Sequence, residues 1–195
     1  YDPTRPSRLE SLIEAGEPSP DQAARAERLR VRVVEAGLSK YNLKGAGVPA
    51  SWPQKETSDR PILLVVGQVE NDRSILMGCG PDLRTNSGLV KAARADHPDA
   101  FLIYRNHPDV TAGNRPGLLD HAAMEEVDAS ADDLDIVDCL NACDRLATLT
   151  SLTGFEALMR GKAVSVYGRP FYAGWGLTDD RLSFERRTRR ASLQS

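Results

Sequence analysis

The residues best suited to chemistry stand directly after runs of apolar residues. Glu70 and Asp72 follow the run at 61–66, and His107 follows the run at 100–104. A carboxylate in such a place can act as a nucleophile, a base or a ligand-orienting group, and a histidine can donate a hydrogen bond to phosphate. For the two carboxylates a solvated loop residue or a helix cap is the alternative, and for His107 a surface loop histidine.

A third polar cluster opens the stretch 148–168, which reads as a hydroxyl-rich loop, a helix and a strand. Ser151 is placed to cap the helix, and Gly161 to end it before the extended segment 163–167. The start of a helix presents unpaired N–H groups and the positive end of its dipole, which favour phosphate or carboxylate. An ordinary strand-to-strand connection with a serine cap is the alternative.

Alternating strands and helices are expected to position these clusters. Apolar runs predict buried strands at 61–66, 100–104, 145–149 and 163–167, and helical patterns predict helices at 86–95, 136–140 and within 148–168. This order predicts an α/β fold, a Rossmann-like doubly wound parallel sheet with helices on both faces. Ligands of such sheets bind outside the carboxyl ends of the strands, where the polar clusters lie.

The amino-terminal part carries two helix signals outside that pattern. Ser7 with Glu10, and Ser19 followed by Pro20, mark the starts of helices that run to about residues 15 and 37. The predicted organisation is given by residue ranges: 1–44, a helical segment packing on the sheet; 45–60, a loop; 61–180, a Rossmann-like donor-binding domain; 181–195, a solvated basic tail that looks truncated. Both ends look cut, and a fragment of a larger protein is expected.

Composition excludes several classes of protein. The formal net charge of −3 argues against general nucleic-acid binding. The three cysteines form no CxxC pair, so reduced thiols are expected rather than a zinc site. No apolar run approaches the ~20 residues of a membrane-spanning helix.

Common catalytic fingerprints are missing from the sequence. It contains no glycine-rich dinucleotide or P-loop motif, no GxSxG elbow and no HExxH pair. Their absence argues against the commonest nucleotide and hydrolase mechanisms and leaves an open-sheet enzyme that handles a sugar nucleotide as one reasonable class.

Seven short blocks in a fixed order carry a family resemblance that spans nearly the whole chain. They are residues 2–8, 38–42, 67–72, 84–86, 107–109, 148–157 and 170–176. Together they resemble the capsular polysaccharide export and biosynthesis family of retaining β-Kdo glycosyltransferases. The resemblance implies transfer of Kdo (3-deoxy-manno-octulosonic acid) from CMP-Kdo to a lipid-linked glycan acceptor. It also implies the GT-B plan of two Rossmann-like domains, of which this chain would be the carboxyl-terminal half of one module.

The resemblance assigns the roles nearest to the reaction. It implies that Asp72 is the nucleophile of a double displacement, with Gln68 and Glu70 lining the Kdo pocket. It implies that His107, in the His-Pro pair with Pro108, contacts the phosphate of CMP.

The remaining roles concern the donor. Thr150 and Ser151 would donate to the phosphate or the sugar carboxylate, and Glu156 would reach the ribose. Weaker anion contacts are implied for Arg84, Asn86, Lys40 and Arg105. Members of the family usually carry Lys-Pro before the His-Pro pair, where this chain has Arg105-Asn106.

Partners and alternatives follow from the same resemblance. No metal or other cofactor is expected, and the missing amino-terminal Rossmann-like domain is expected to be a partner within the same polypeptide. The expected location is the cytoplasm, with peripheral contact at the inner face of the inner membrane as an option, and the isolated fragment is expected to bind the donor without turnover. A sialyltransferase-like CMP-sugar enzyme and a non-catalytic scaffold domain of capsule assembly are the alternatives.

Overall fold

Parallel strands joined by helices make up the centre of the computed structural model, which describes residues 2–40, 47–53 and 58–194. The described strands are β1 (Ile62–Val66), β2 (Phe101–Arg105), β3 (Ala129–Ser130), β4 (Arg145–Thr148), β5 (Ala163–Val166) and β6 (Asp179–Asp180). They form one sheet in the order β3-β2-β1-β4-β5-β6, and every pairing is parallel. This is the strand order of a Rossmann-like fold.

The central strand β1 is buried along its whole length, because both of its faces are covered. In register, Leu64 lies between Ile103 of β2 and Leu146 of β4. A run of five apolar residues with no alternation is what such a strand requires.

Helices cover the two faces of the sheet. The described helices are α1 (Arg8–Glu14), α2 (Pro20–Glu35), α3 (Arg73–Gly78), α4 (Asn86–Asp96), α5 (Pro108–Thr111), α6 (His121–Met124), α7 (Ile136–Ala142) and α8 (Leu152–Met159). Side chains of α3, α4 and α6 pack in the core on one face, and side chains of α7 and α8 pack on the other. The predicted α/β class, with a parallel sheet between helices, is confirmed.

The amino-terminal helices begin where the sequence predicts. Ser7 and Ser19 each form a full capping box, with Glu10 and Gln22 as the reciprocal partners. No residue of α2 is buried, and Arg30 of that helix donates a hydrogen bond to the carbonyl of Met159 at the end of α8, with an N–O distance of 2.6 Å.

The predicted loop 45–60 is described only in part, because residues 41–46 and 54–57 lie outside the described ranges. The described part contributes to the core through Trp52, which is 4% exposed.

The predicted basic tail 181–195 is exposed over much of its described length, but its Arg187 is buried, so the expectation of a solvated tail is wrong at that residue. The guanidinium of Arg187 is 2% exposed and lies 3.0 Å from the Glu10 carboxylate, which is 7% exposed. It also donates to the carbonyls of Pro170 and Ala173. The pair therefore connects α1 to the end of the chain inside the protein.

All three cysteines are free and buried. Cys79 packs on the α4 face of the sheet, whereas Cys139 and Cys143 pack on the α7 face. Burial raises the pKa of the Cys79 and Cys139 thiols to about 11 and that of Cys143 to about 12. They are protonated thiols at neutral pH.

Candidate functional site

An open cleft of about 300 Å³ lies at the carboxyl ends of the central strands. The chain leaves β1 and β4 on the two sides of the point where the strand order reverses, which is where Rossmann-like sheets bind ligands. The cleft is lined by nine of the residues that the sequence singles out: Lys40, Gln68, Asp72, Arg105, His107, Pro108, Thr150, Ser151 and Glu156.

Gln68 joins the two sides of the cleft floor. Its side-chain Oε1 accepts from the backbone N–H of Thr150 at 2.8 Å, and its Nε2 donates to the Thr150 hydroxyl at 3.0 Å. The residue is 9% exposed. Gln68 therefore fixes the loop after β4 against the loop after β1, in addition to lining the cleft.

Asp72 lies at the cleft edge and caps the short helix α3. Its Oδ1 accepts from the backbone N–H of Ser74 at 2.8 Å and from the Ser74 hydroxyl at 2.7 Å. These hydrogen bonds lower the pKa of Asp72. Within the described ranges Oδ2 has no hydrogen-bond partner, so an ionised oxygen is available to the cleft.

His107 is held by the turn that follows β2. Its Nδ1 accepts from the backbone N–H of Asp109 at 3.2 Å, which places the proton of the neutral ring on Nε2. Burial lowers the pKa of His107, so the neutral form is favoured at pH 7. A neutral imidazole with an Nε2 donor can still bind a phosphate oxygen.

Thr150 and Ser151 line the cleft directly before α8. The Ser151 hydroxyl caps α8 by accepting from the backbone N–H of Thr153 at 3.2 Å, and its carbonyl accepts from the buried Tyr172 hydroxyl. The predicted serine cap is confirmed, and the start of an eight-residue helix faces the cleft.

Glu156 lies one turn into α8 and is 7% exposed. Its Oε1 accepts from the backbone N–H of Lys40 at 2.9 Å, which ties the segment before residue 41 to this helix. Burial raises the pKa of Glu156 despite this hydrogen bond and the nearby charges of Arg160 and Lys40.

Glu156→Gln is expected to raise the free energy of unfolding at pH 7. Because the folded-state pKa of Glu156 lies above its ordinary value of 4.5, the folded protein holds this proton more tightly than the unfolded chain does. Stability is therefore lost as the pH rises above about 4.5, and a neutral glutamine that still accepts from Lys40 avoids this loss. Urea unfolding of both proteins at pH 7 and pH 4 measures the effect, which should shrink at pH 4. A glutamine variant less stable than wild type at pH 7 would contradict it.

Arg105 lines the cleft but is committed to the protein. Its guanidinium donates to the carbonyls of Ala131 and Leu134, and the residue is 6% exposed. Its neighbour Asn106 is bound to Asp132 through both its backbone and side-chain N–H groups. The Arg105-Asn106 pair therefore shapes the loop after β3. The sequence predicts that Arg105 contacts an anion, but its guanidinium donates to backbone carbonyls instead.

Three further residues expected at the donor lie outside the cleft lining. Asn86 is fully buried, with Nδ2 donating to the carbonyls of Gln68 and Gly117. Glu70 accepts from the backbone N–H of Asn86 at 2.7 Å, and Arg84 donates to the carbonyl of Gly80. A direct donor contact is not available to Asn86, because its side chain is enclosed by protein atoms.

No site role was predicted for five other polar residues that line the cleft: Ser39, Ser74, Asn106, Asp109 and Arg115. Ser39, Ser74, Asn106 and Asp109 stand within two residues of a predicted site residue, a proximity that could have pointed to them. Arg115 carried no such signal, because it lies in an irregular polar loop.

Two absences apply to the parts of the chain that the structure describes. No group of three or more histidine, cysteine, aspartate or glutamate side chains is arranged to hold a metal ion. No helix in these ranges has the length and apolar character needed to cross a membrane.

The fold defines a Rossmann-like α/β protein with an open cleft where the strand order reverses. The family described as "Capsule polysaccharide biosynthesis protein" matches residues 1–195, and the chain belongs to this family. This confirms the family resemblance found in the sequence blocks.

The chain is also similar to curated relatives and to solved structures. The capsule polysaccharide modification protein LipA of Neisseria meningitidis serogroup B is 43% identical over 96% of the chain, and the lipopolysaccharide-processing protein LpsZ of Rhizobium meliloti is 45% identical over 99%. The chain spans 26% of the length of LipA and 44% of LpsZ. The structures of Thermosulfurimonas dismutans KpsC titled beta Kdo 2,7 transferase and beta Kdo 2,4 transferase match all of the chain, with TM-scores of 0.80 and 0.83 and identities of 34% and 36%. The match covers 57% and 60% of those chains.

Proposed function

We propose that this chain is the donor-binding half of a retaining β-Kdo glycosyltransferase that uses CMP-Kdo. The observation that carries the proposal is the cleft in which the Asp72 carboxylate, the His107 ring and the start of α8 lie together. The similarity to two structures titled beta Kdo transferases supports it.

The proposed reaction is a double displacement on Asp72. Its free Oδ2 forms a bond to the anomeric carbon of Kdo, the bond from that carbon to the phosphate oxygen breaks, and the electron pair leaves on CMP. An acceptor hydroxyl then displaces Asp72 and gives up its proton to the medium. Two inversions restore the original configuration.

The other cleft residues are proposed to bind the donor. Negative charge grows on the departing phosphate, and the His107 Nε2–H, the Ser151 hydroxyl and the α8 dipole are placed to stabilise it. The Glu156 carboxylate is proposed to accept from the ribose hydroxyls. The acceptor is proposed to be a lipid-linked glycan, bound with the help of a further Rossmann-like domain in a GT-B arrangement.

Isothermal titration calorimetry of the chain with CMP and CMP-Kdo tests the proposal. Both ligands should bind, and CMP-Kdo should bind more tightly than CMP-sialic acid. No heat from either cytidine ligand at millimolar concentration would overturn the donor-binding assignment. Tighter binding of CMP-sialic acid would point to the sialyltransferase-like alternative.

A further inference from the structure

We infer that Arg115 binds the carboxylate that the donor sugar carries on its anomeric carbon. This inference deepens the proposed function and rests on it, since it concerns the sugar half of the same donor.

Arg115 connects the loop after β1 to the turn after β2. Its backbone N–H donates to the carbonyl of Asp109, two residues after His107, at 3.2 Å. Its side chain reaches the loop after β1, where Nε and NH2 donate to Oδ1 of Asn71 at 3.2 and 2.8 Å. Asn71 immediately precedes Asp72, and Arg115 and Asp72 both line the cleft.

The loop that carries Arg115 is itself held in place. The carbonyl of Pro116 accepts from the backbone N–H of Glu70 at 3.2 Å, and the carbonyl of Gly117 accepts from the buried Asn86 side chain at 2.8 Å. Gly117 has a φ of +146°, and a Cβ at this position would lie 2.8 Å from Asn86 Nδ2. Glu70 and Asn86, expected at the donor itself, thus act by positioning this loop.

The guanidinium retains binding capacity. Among the described residues NH1 of Arg115 has no hydrogen-bond partner and no carboxylate pairs with the group. Its charge also acts on the two proposed site residues. The Ser74 hydrogen bonds are the main cause of the lowered pKa of Asp72, and Arg115 contributes to it. Burial is the main cause of the lowered pKa of His107, and Arg115 contributes there as well.

The chemistry of the ligand fits a guanidinium at this place. When Asp72 attacks the anomeric carbon, the carboxylate on that carbon is brought near the Asp72 carboxylate, and the two negative charges repel. A planar guanidinium can bind a carboxylate through two parallel N–H groups held in a fixed fork, a geometry that an ammonium group lacks. Arg105, the other cleft arginine, already donates to backbone carbonyls.

Calorimetry with two ligands separates this role from phosphate binding. Arg115→Ala is expected to weaken CMP-Kdo binding about tenfold or more, the range for a hydrogen bond to a charged group. The affinity of Arg115→Ala for CMP, which lacks the sugar carboxylate, should stay within about twofold of wild type. The affinity of Arg115→Lys for CMP-Kdo should lie between those of wild type and Arg115→Ala.

The controls keep the inference falsifiable. Arg25→Ala removes an exposed arginine on α2 and should change neither ligand's affinity. Asn71→Ala removes the anchor of Arg115 but not its charge, and should weaken CMP-Kdo binding less than Arg115→Ala does. Equal losses for CMP and CMP-Kdo in Arg115→Ala, or no loss for either, would overturn the inference while the proposed function stands. A wild-type chain that binds neither ligand would overturn both.

Discussion

Asp72→Asn is expected to lower Kdo transfer by at least about 10³-fold in an active enzyme that contains this chain. A nucleophile that forms the covalent intermediate has no substitute in a double displacement, and removal of such groups costs several orders of magnitude. Asparagine caps helices as well as aspartate does, so α3 and the Ser74 contacts should persist. Product formation from CMP-Kdo, followed by mass spectrometry, measures the loss.

Two further measurements test the role of Asp72. Binding of CMP to Asp72→Asn should remain within a few fold of wild type, because CMP lacks the reacting sugar. Ser74→Ala removes a hydrogen bond that lowers the pKa of Asp72, and should therefore move the acidic limb of the activity profile to higher pH. An asparagine variant with more than about a tenth of wild-type activity would rule out Asp72 as the nucleophile.

Arg187→Met is expected to reduce the free energy of unfolding by about 3–5 kcal/mol. It leaves the buried Glu10 carboxylate with the Ser7 N–H and the more distant, half-exposed Arg186 guanidinium at 3.5 Å in place of its 3.0 Å partner. It also leaves two carbonyls without their donor. It also removes the stacking of the guanidinium over Trp175 and Phe184, with centroid distances of 5.5 and 4.7 Å. Urea denaturation monitored by tryptophan fluorescence gives the change.

A double-variant cycle shows whether the loss belongs to the pair. Glu10→Gln keeps the capping box with Ser7 but removes the charge. The double variant Glu10→Gln/Arg187→Met should lose less stability than the sum of the single variants, because no unpaired charge is left buried. The exposed control Arg25→Ala should change stability by less than about 0.5 kcal/mol. Strictly additive losses would show that Glu10 and Arg187 do not act as a pair.

The sequence was sufficient for the parts of the fold that rest on continuous apolar runs. β1, β2, β4 and β5 begin and end within one residue of their predicted positions, because burial on both faces leaves a continuous apolar run. The edge strands Ala129–Ser130 and Asp179–Asp180 were not predicted, since two-residue pairings depend on the neighbouring strand and leave no pattern of their own.

Most of the cleft residues that the sequence predicts follow the strands directly. Asp72, His107 and Ser151 reach the cleft because the carboxyl ends of parallel strands meet at one edge. Arg115 and Arg187 depend instead on long-range contacts, with Asn71 in one case and Glu10 in the other. Neither contact can be read from local spacing, so one arginine was missed and the other was assigned to solvent.

The buried thiols make each face of the sheet accessible to a chemical probe of its motions. A protonated thiol enclosed in the core reacts with an alkylating reagent only after the surrounding structure opens. Labelling at Cys79 would report opening of the α4 face, and labelling at Cys139 or Cys143 opening of the α7 face. Mass spectrometry of the labelled peptides would therefore show which face a bound nucleotide protects, with no introduced reporter.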